Sequence, residues 1–262
     1  QKFLKNKKGK YIYKNILFYS IAAYFSPNFS IFSIFFFYKY LEYFGLSKKI
    51  FEIIIINIIL ALPAFYYIFY LDINFLNKSA ALNDDLVDNF FFNNIFNPIL
   101  IIPTIFLFYF LPFFVLKILV PHKNHFKKSF IISLPIFVSS IYFFDYDMSY
   151  TGGGILFKTS HVFFENNFLF YFFALISLVI VINFFINNID NVIIFILLVL
   201  SNPQITIYHK YYDPLLIILF FSIFSFKTNI KKLSNNKSLV FIYFYFLIFL
   251  IINLLRKSLW KI

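Results

Sequence analysis

Long apolar runs separated by short polar segments dominate this chain. The runs cover residues 15–25, 30–45, 51–71, 97–120, 129–144, 168–186, 191–207, 214–226 and 239–255. Several approach the roughly 20 residues that an α-helix needs to cross a bilayer. Charged residues make up 13% of the chain, about half the fraction in soluble domains. The pattern predicts an all-α, polytopic transmembrane helical bundle of about eight spans, forming a single transmembrane domain over residues 1–262.

The charge pattern predicts which loops face the cytoplasm. The formal net charge is +12, and lysines cluster in the segments 1–14, 46–50, 121–128 and 227–238. Because short cytoplasmic loops carry the excess of lysine and arginine, this clustering indicates membrane orientation and contact with membrane lipids, not nucleic-acid binding. The same alternation places the basic tail, RKSLWKI, on the outer side, against the charge rule.

Missing residue types exclude some kinds of chemistry. The chain has no cysteine, which excludes disulfides, thiolate metal sites and cysteine nucleophiles. It starts with Gln1, and no signal-peptide pattern precedes a mature start. We therefore expect the sequence to be the C-terminal portion of a longer membrane protein that is truncated at its N-terminus.

Ionisable residues are rare within the apolar runs. Lys39 and Glu42 lie three residues apart, so they are expected to form a local ion pair near a helix end. Proton-coupled transporters and ion channels normally keep charged groups inside their spans. Their scarcity argues against a pump and favours binding or chemistry at the membrane–water boundary.

Two polar segments are weak candidates for metal sites. His122 and His125 could share a metal, but no carboxylate or third ligand lies near them in the sequence, and a basic loop that touches anionic headgroups is favoured. The acidic loop 72–96 carries Asp84, Asp85 and Asp88, which could bind a metal or an acceptor sugar. Their spacing fits no known metal motif, so a solvated outer loop is the simpler interpretation.

The outer loop 145–167 contains three consecutive glycines, Gly152, Gly153 and Gly154. Glycine permits unusual backbone angles and close approach, and a cation follows at Lys158. A helix from Ile155 would place Lys158 and His161 on one face. The segment is either a flexible surface loop or a cradle for a phosphate or lipid-linked sugar. The spacing is not that of a nucleotide-binding P-loop.

A second polar cluster, YHKYYD at 208–213, precedes a late apolar run. It contains His209, Lys210 and Asp213. Tyrosines and lysines at a helix end are commonly interfacial anchors, and Asp213 followed by Pro214 is typical of a helix start. Lysine also binds the phosphate of a lipid carrier well. Both interpretations, anchor and site, stay open at this point.

The C-terminal part of the chain resembles a known family. Pro203-Gln204, then YHKYYDPLLIILFF, a basic connector, one more apolar run and the ending RKSLW resemble the eukaryotic dolichyl-phosphate-glucose alpha-1,2-glucosyltransferases. The polar loop 72–96 followed by PTIFLFYFLPFF has a similar order. These enzymes are polytopic glycosyltransferases of the GT-C fold.

The resemblance implies a membrane glycosyltransferase that uses a polyprenyl-phosphate sugar, with undecaprenyl phosphate as the carrier in a bacterium. The acceptor would be a lipid-linked or surface glycan on the external or lumenal side. The protein would lie in a bacterial inner membrane, or in the endoplasmic reticulum of a eukaryote. The family's catalytic carboxylates precede the region that this chain covers, so no catalytic residue is assigned.

The expected site residues are those of the two outer polar clusters. Lys210 and His209, with Lys158 and His161 as second candidates, would bind the lipid phosphate. Contacts to the acceptor or within the loops are expected from Asp213, Asp145, Asp147, Gly152, Gly153 and Gly154. No metal and no cofactor besides the sugar donor is expected. Two alternatives remain: a transporter or flippase for lipid-linked glycans, and a structural membrane subunit in which the cluster is only an anchor.

Overall fold

The protein is all-helical over the residues that the structure describes, as the apolar runs predict. A computed structural model describes residues 10–25, 27–71, 95–148, 152–186, 188–201 and 228–259, with Ile207, Tyr212, Leu215, Leu216, Ile218, Leu219, Phe224 and Phe226. Within these ranges no β-strand forms, and Leu119 and Thr228 make an isolated antiparallel bridge.

Ten α-helices occur in this part of the chain. They are α1 Lys10–Phe25, α2 Ser33–Phe44, α3 Lys48–Phe65, α4 Phe96–Val115, α5 Phe126–Tyr142, α6 Gly154–Phe164, α7 Phe168–Phe185, α8 Ile189–Leu200, α9 Ile230–Leu233 and α10 Asn236–Leu259. A 3₁₀ turn, Pro27–Phe32, joins α1 to α2, and a π-helical turn, Tyr66–Tyr70, continues α3. Helices α1 and α2 thus correspond to the two short apolar runs 15–25 and 30–45.

Helix α4 ends at Val115, although its apolar run continues to Val120. Lys117 has a left-handed backbone with φ of 54°. The N–H of Ile118 donates to the carbonyl of Phe113 over 2.9 Å, as at many helix ends that turn through a left-handed residue. Ile118 is 1% exposed and belongs to the main core, because the chain turns at Lys117 instead of extending the helix.

The main hydrophobic core surrounds α4. Leu100, Ile101, Ile102 and Phe106 are fully buried, and α4 packs against α5, α6 and α7. The ring of Phe106 lies 6.3 Å from that of Phe185 on α7. Burial of this many aliphatic and aromatic side chains is the dominant stabilising force in such a bundle.

The first three helices form a second core of their own. Ile12, Ile16, Tyr40, Ile50 and Ile53 are its buried members. The amide of Asn15 on α1 donates to the hydroxyl of Tyr40 on α2 over 2.7 Å. The pairing of an early α1 residue with a late α2 residue shows that these two helices are antiparallel.

One end of the bundle, here called the lysine-rich end, collects the segments 44–50, 116–125, 188–190 and 228–232. Lys39 Nζ, in the second half of α2, lies 2.6 Å from Asp190 Oδ2 at the start of α8. The side chain of Asn183 accepts from the backbone N–H of His122 over 2.7 Å and donates to its carbonyl over 3.1 Å. Apart from 188–190, those segments belong to, or adjoin, regions that the sequence predicts to be cytoplasmic.

The opposite end, here called the glycine-rich end, collects the start of α4, residues 143–148 and 152–154, the corner between α6 and α7, and Ile207. The side chain of Asn97 and Asp145 are hydrogen-bonded there, and Gly153 is hydrogen-bonded to Ile207. These segments belong to regions predicted to be external. The structure therefore separates the two predicted classes of loop to opposite ends of the bundle.

Two of the described helices are long and apolar enough to cross a membrane. They are α4, with a mean hydropathy of 2.3, and α7, with a mean hydropathy of 2.6. Helix α8 and the Asn236–Ile251 part of α10 are apolar but shorter. Helix α3 has 18 residues but carries Lys48, Lys49 and Glu52 in its first turns.

Candidate functional site

The glycine-rich end is held together by the backbone of Ile207. Its N–H donates to the hydroxyl of Tyr146 over 3.2 Å, and its carbonyl accepts from the N–H of Gly153 over 2.9 Å. Ile207 and Tyr146 are both buried. Since buried backbone groups must be paired, these two bonds fix Ile207 against Tyr146 and the glycine run.

Glycine is required at this contact by space as well as by backbone angle. Gly152 has φ of +123°, and a Cβ on it would lie 2.4 Å from the carbonyl oxygen of Ile207. Gly153 has φ of +77°, and a Cβ there would meet the rings of Phe157 and Tyr146 at 2.6 and 2.8 Å. The predicted close backbone approach is confirmed. The alternative of a freely exposed loop does not fit, because Gly153 and Gly154 are buried.

The contact also limits how the glycines could bind a phosphate. The N–H of Gly153 is already paired with Ile207, so a phosphate cradle would lack one of its three glycine N–H groups. The prediction that the run binds phosphate therefore has to rely on the cations that follow it on α6.

Helix α6 begins at Gly154, one residue before the predicted start, and carries both cations. Lys158 and His161 are half-buried and lie on one face, as their spacing predicts. The ring of Phe157 packs 5.2 Å from that of Tyr146 and 4.8 Å from that of His161. The aromatic contacts connect the His161 side chain to the segment that holds Ile207.

The imidazole of His161 is positioned by the corner between α6 and α7. Its Nε2 lies 2.6 Å from Oδ1 of Asn167. When Nε2 donates to that oxygen, a neutral ring presents Nδ1 as an acceptor. His161 could therefore donate to an anionic ligand through Nδ1 only as the imidazolium.

Asp145 is an exposed carboxylate with a fixed backbone. Asn97, at the start of α4 and 1% exposed, donates to its Oδ1 over 2.6 Å and accepts from its N–H over 3.2 Å. Asp147 is exposed two residues further on. Two carboxylates and two cationic side chains therefore belong to the glycine-rich end.

Comparison with known proteins gave no match. No protein family, no curated protein and no solved structure is significantly similar to the chain. The function is therefore inferred from the geometry of the glycine-rich end and from the resemblance of the C-terminal motifs.

Three of the predicted residues, His209, Lys210 and Asp213, lie outside the described residues, as do Asp84, Asp85 and Asp88. Tyr212, within the same cluster, is 1% exposed and belongs to the main core. Its burial shows that at least one tyrosine of the cluster packs in the protein interior and is not an interfacial anchor.

The histidines of the basic loop lie at the other end of the bundle. The rings of His122 and His125 are 5.7 Å apart, and the backbone of His122 is bound by Asn183. No group of three potential metal ligands occurs among the described residues.

Sequence reasoning missed the residues that position the site. Four uncharged residues of the glycine-rich end form hydrogen bonds that position other residues there: Asn97, Tyr146, Asn167 and Ile207. Asn97 had a detectable signal, because a polar residue directly before a proline and a long apolar run is typical of a helix start. The roles of Tyr146 and Ile207 depend on a contact across 61 residues of chain, for which the local sequence contains no signal.

Proposed function

We propose that the protein is a membrane glycosyltransferase with a GT-C-like, polytopic bundle of about eight spans. It transfers a sugar from a polyprenyl-phosphate carrier to a lipid-linked or surface glycan at the glycine-rich end. Membrane placement is supported by the apolar outer surface as well as by α4 and α7. Helix α10, for example, exposes 67% of Val240 and 75% of Tyr243, whereas soluble monomers rarely expose large apolar patches.

The pairing of Gly153 and Tyr146 with Ile207 is the observation that carries the proposal. Through it, Ile207, the residue directly before the YHKYYD cluster in the sequence, is held at the same end as Lys158, His161 and Asp145. A carrier phosphate needs cations at headgroup depth, and its prenyl tail needs apolar helix surface alongside. Lys158 and His161 supply cations at this end, and the apolar outer surface of the bundle supplies a place for the tail.

The proposed reaction is a displacement at the anomeric carbon of the donor sugar. An acceptor hydroxyl attacks that carbon, the bond from the carbon to the phosphate oxygen breaks, and the hydroxyl proton passes to a carboxylate base. The polyprenyl phosphate leaves with the electron pair. Lys210 and His209 stabilise its negative charge, with Lys158 and His161 as second candidates. No residue of this chain is assigned as the base.

The test is a transfer assay on the full protein in membranes, with a radiolabelled polyprenyl-phosphate sugar as donor. Lys210→Ala is expected to abolish transfer while leaving membrane insertion unchanged. Lys48→Ala, which removes an exposed lysine at the opposite end, should transfer at the wild-type rate.

Unchanged transfer by Lys210→Ala would remove this lysine from the site. Movement of a lipid-linked glycan across the bilayer without any covalent product would identify a transporter, the alternative that the sequence leaves open. Absence of both activities would contradict the proposal.

A further inference from the structure

Two basic segments that are distant in the sequence are joined at the lysine-rich end. Leu119 and Thr228 form an antiparallel bridge, and the N–H of Asn229 donates to the carbonyl of Ile118 over 3.0 Å. Ile118 and Leu119 are buried. The segment after α4 and the segment before α9 therefore form one surface with a fixed backbone.

This joined surface, here called the lysine platform, is strongly positive. Among the described residues of the two segments, the exposed lysines are Lys117, Lys123, Lys127, Lys128, Lys231, Lys232 and Lys237. The segments 115–128 and 226–238 contain no aspartate or glutamate. Like charges held together repel one another unless counter-charges are supplied from outside.

The apolar residues beside the platform indicate what supplies those charges. Val120 is 50% exposed, Phe126 42% and Phe130 47%, and Val240 near the start of α10 is exposed as well. Exposed lysines interspersed along the chain with exposed apolar side chains match the boundary between phospholipid headgroups and acyl chains. A soluble acidic protein would use the lysines but not the apolar border.

We propose that the lysine platform binds the anionic phospholipid headgroups of one leaflet and thereby anchors this end of the bundle. The inference rests on the membrane placement proposed above and does not depend on glycosyl transfer. The positive-inside rule explains why lysines lie on one side of the membrane. It does not explain why two loops are paired into a single surface.

The test compares lipid retention by the full protein after reconstitution in vesicles of mixed phosphatidylcholine and phosphatidylglycerol. The protein is extracted in mild detergent and its bound lipids are quantified by mass spectrometry. Wild-type protein should retain phosphatidylglycerol above its share of the vesicle, and less so as salt is raised. Each platform lysine near the surface is worth up to about a fivefold change in this preference.

Two variants separate geometry from charge. Lys117→Gln/Lys231→Gln should strongly reduce the enrichment, whereas Lys14→Gln/Lys48→Gln, with the same loss of charge at exposed positions outside the platform, should reduce it little. Asn229→Pro keeps every lysine but removes the N–H that binds Ile118, and it should also reduce the enrichment.

Equal losses in the two double variants would overturn the proposal in favour of a diffuse charge effect. The proposal would also be overturned if wild-type protein inserts but retains both lipids in the proportion present in the vesicle. Binding of polyaspartate to the protein in neutral vesicles, together with no preference for phosphatidylglycerol, would overturn it as well. Failure of the protein to insert at all would overturn the membrane placement together with this inference.

Discussion

At the residue scale, the fold depends on a few polar and glycine positions within an apolar chain. Gly152 accommodates the carbonyl of Ile207 at a distance that leaves no room for a Cβ. Asn97 and Asn183 are fully buried and bind backbone groups at opposite ends of the bundle. Such contacts are costly to lose because an unpaired buried polar group costs about 1–3 kcal/mol.

We expect Gly152→Ala to lower the melting temperature of the protein in detergent more than Gly45→Ala does. Both positions have positive φ, so each alanine adds backbone strain of about 1–3 kcal/mol. Only Gly152→Ala also forces a Cβ against the Ile207 carbonyl, since nothing lies within 4 Å of the Cβ position at Gly45. Thermal unfolding of the two variants measures the difference. Equal losses would show that the contact with Ile207 contributes nothing.

The charged residues of the site were predicted from the sequence, whereas the neutral residues that position them were not. Lys158 and His161 lie on one helical face because their spacing alone determines it. The prediction for the glycine run was correct about close approach, but the partner of that approach was not predictable. Ile207 acts through its backbone, and any residue there would present the same N–H and carbonyl.

At the scale of helices, most boundaries lie near the ends of the apolar runs, and Pro63, Pro103, Pro112 and Pro135 lie inside helices without ending them. The main departure is α4, which ends at Val115 because Lys117 turns the chain in a left-handed conformation. The sequence did not reveal this end, since lysine is not the residue expected at such a position. The Lys39–Glu42 ion pair was predicted and is confirmed at 2.7 Å.

The same lysine also joins two helices, which the sequence did not predict. Lys39 Nζ binds Asp190 at the start of α8, where Asn188 caps the helix through its side chain. The interaction holds the α2–α3 unit against the main bundle.

We expect Lys39→Met to destabilise the protein at neutral pH, by about 1 kcal/mol for a partly exposed ion pair. The melting temperature of Lys39→Met in detergent should therefore lie below that of wild type, because both Asp190 and Glu42 lose their cationic partner.

Lys48→Met, at an exposed lysine near the same end, is the matched control and should change stability little at any pH. A Lys39→Met protein as stable as wild type at neutral pH would show that the pair with Asp190 does not hold the helices together.

At the scale of the whole molecule, the described loops divide between the two ends of the bundle. The charge pattern predicted which loops belong together, and the hydrogen bonds of Asn183, Asn229 and Ile207 group the described loops accordingly. The sequence could not show which loops of one end touch each other, because those contacts are made by backbone groups and neutral side chains.

The most direct measurement is thiol labelling of single-cysteine variants in intact cells, since this chain has no cysteine of its own. Met148→Cys and Val162→Cys place an exposed thiol at the glycine-rich end, and Lys123→Cys places one at the lysine-rich end. A membrane-impermeant maleimide should label the first two variants in intact cells and the third only after permeabilisation. Labelling of all three from the same side, or of Lys123→Cys alone, would contradict the account.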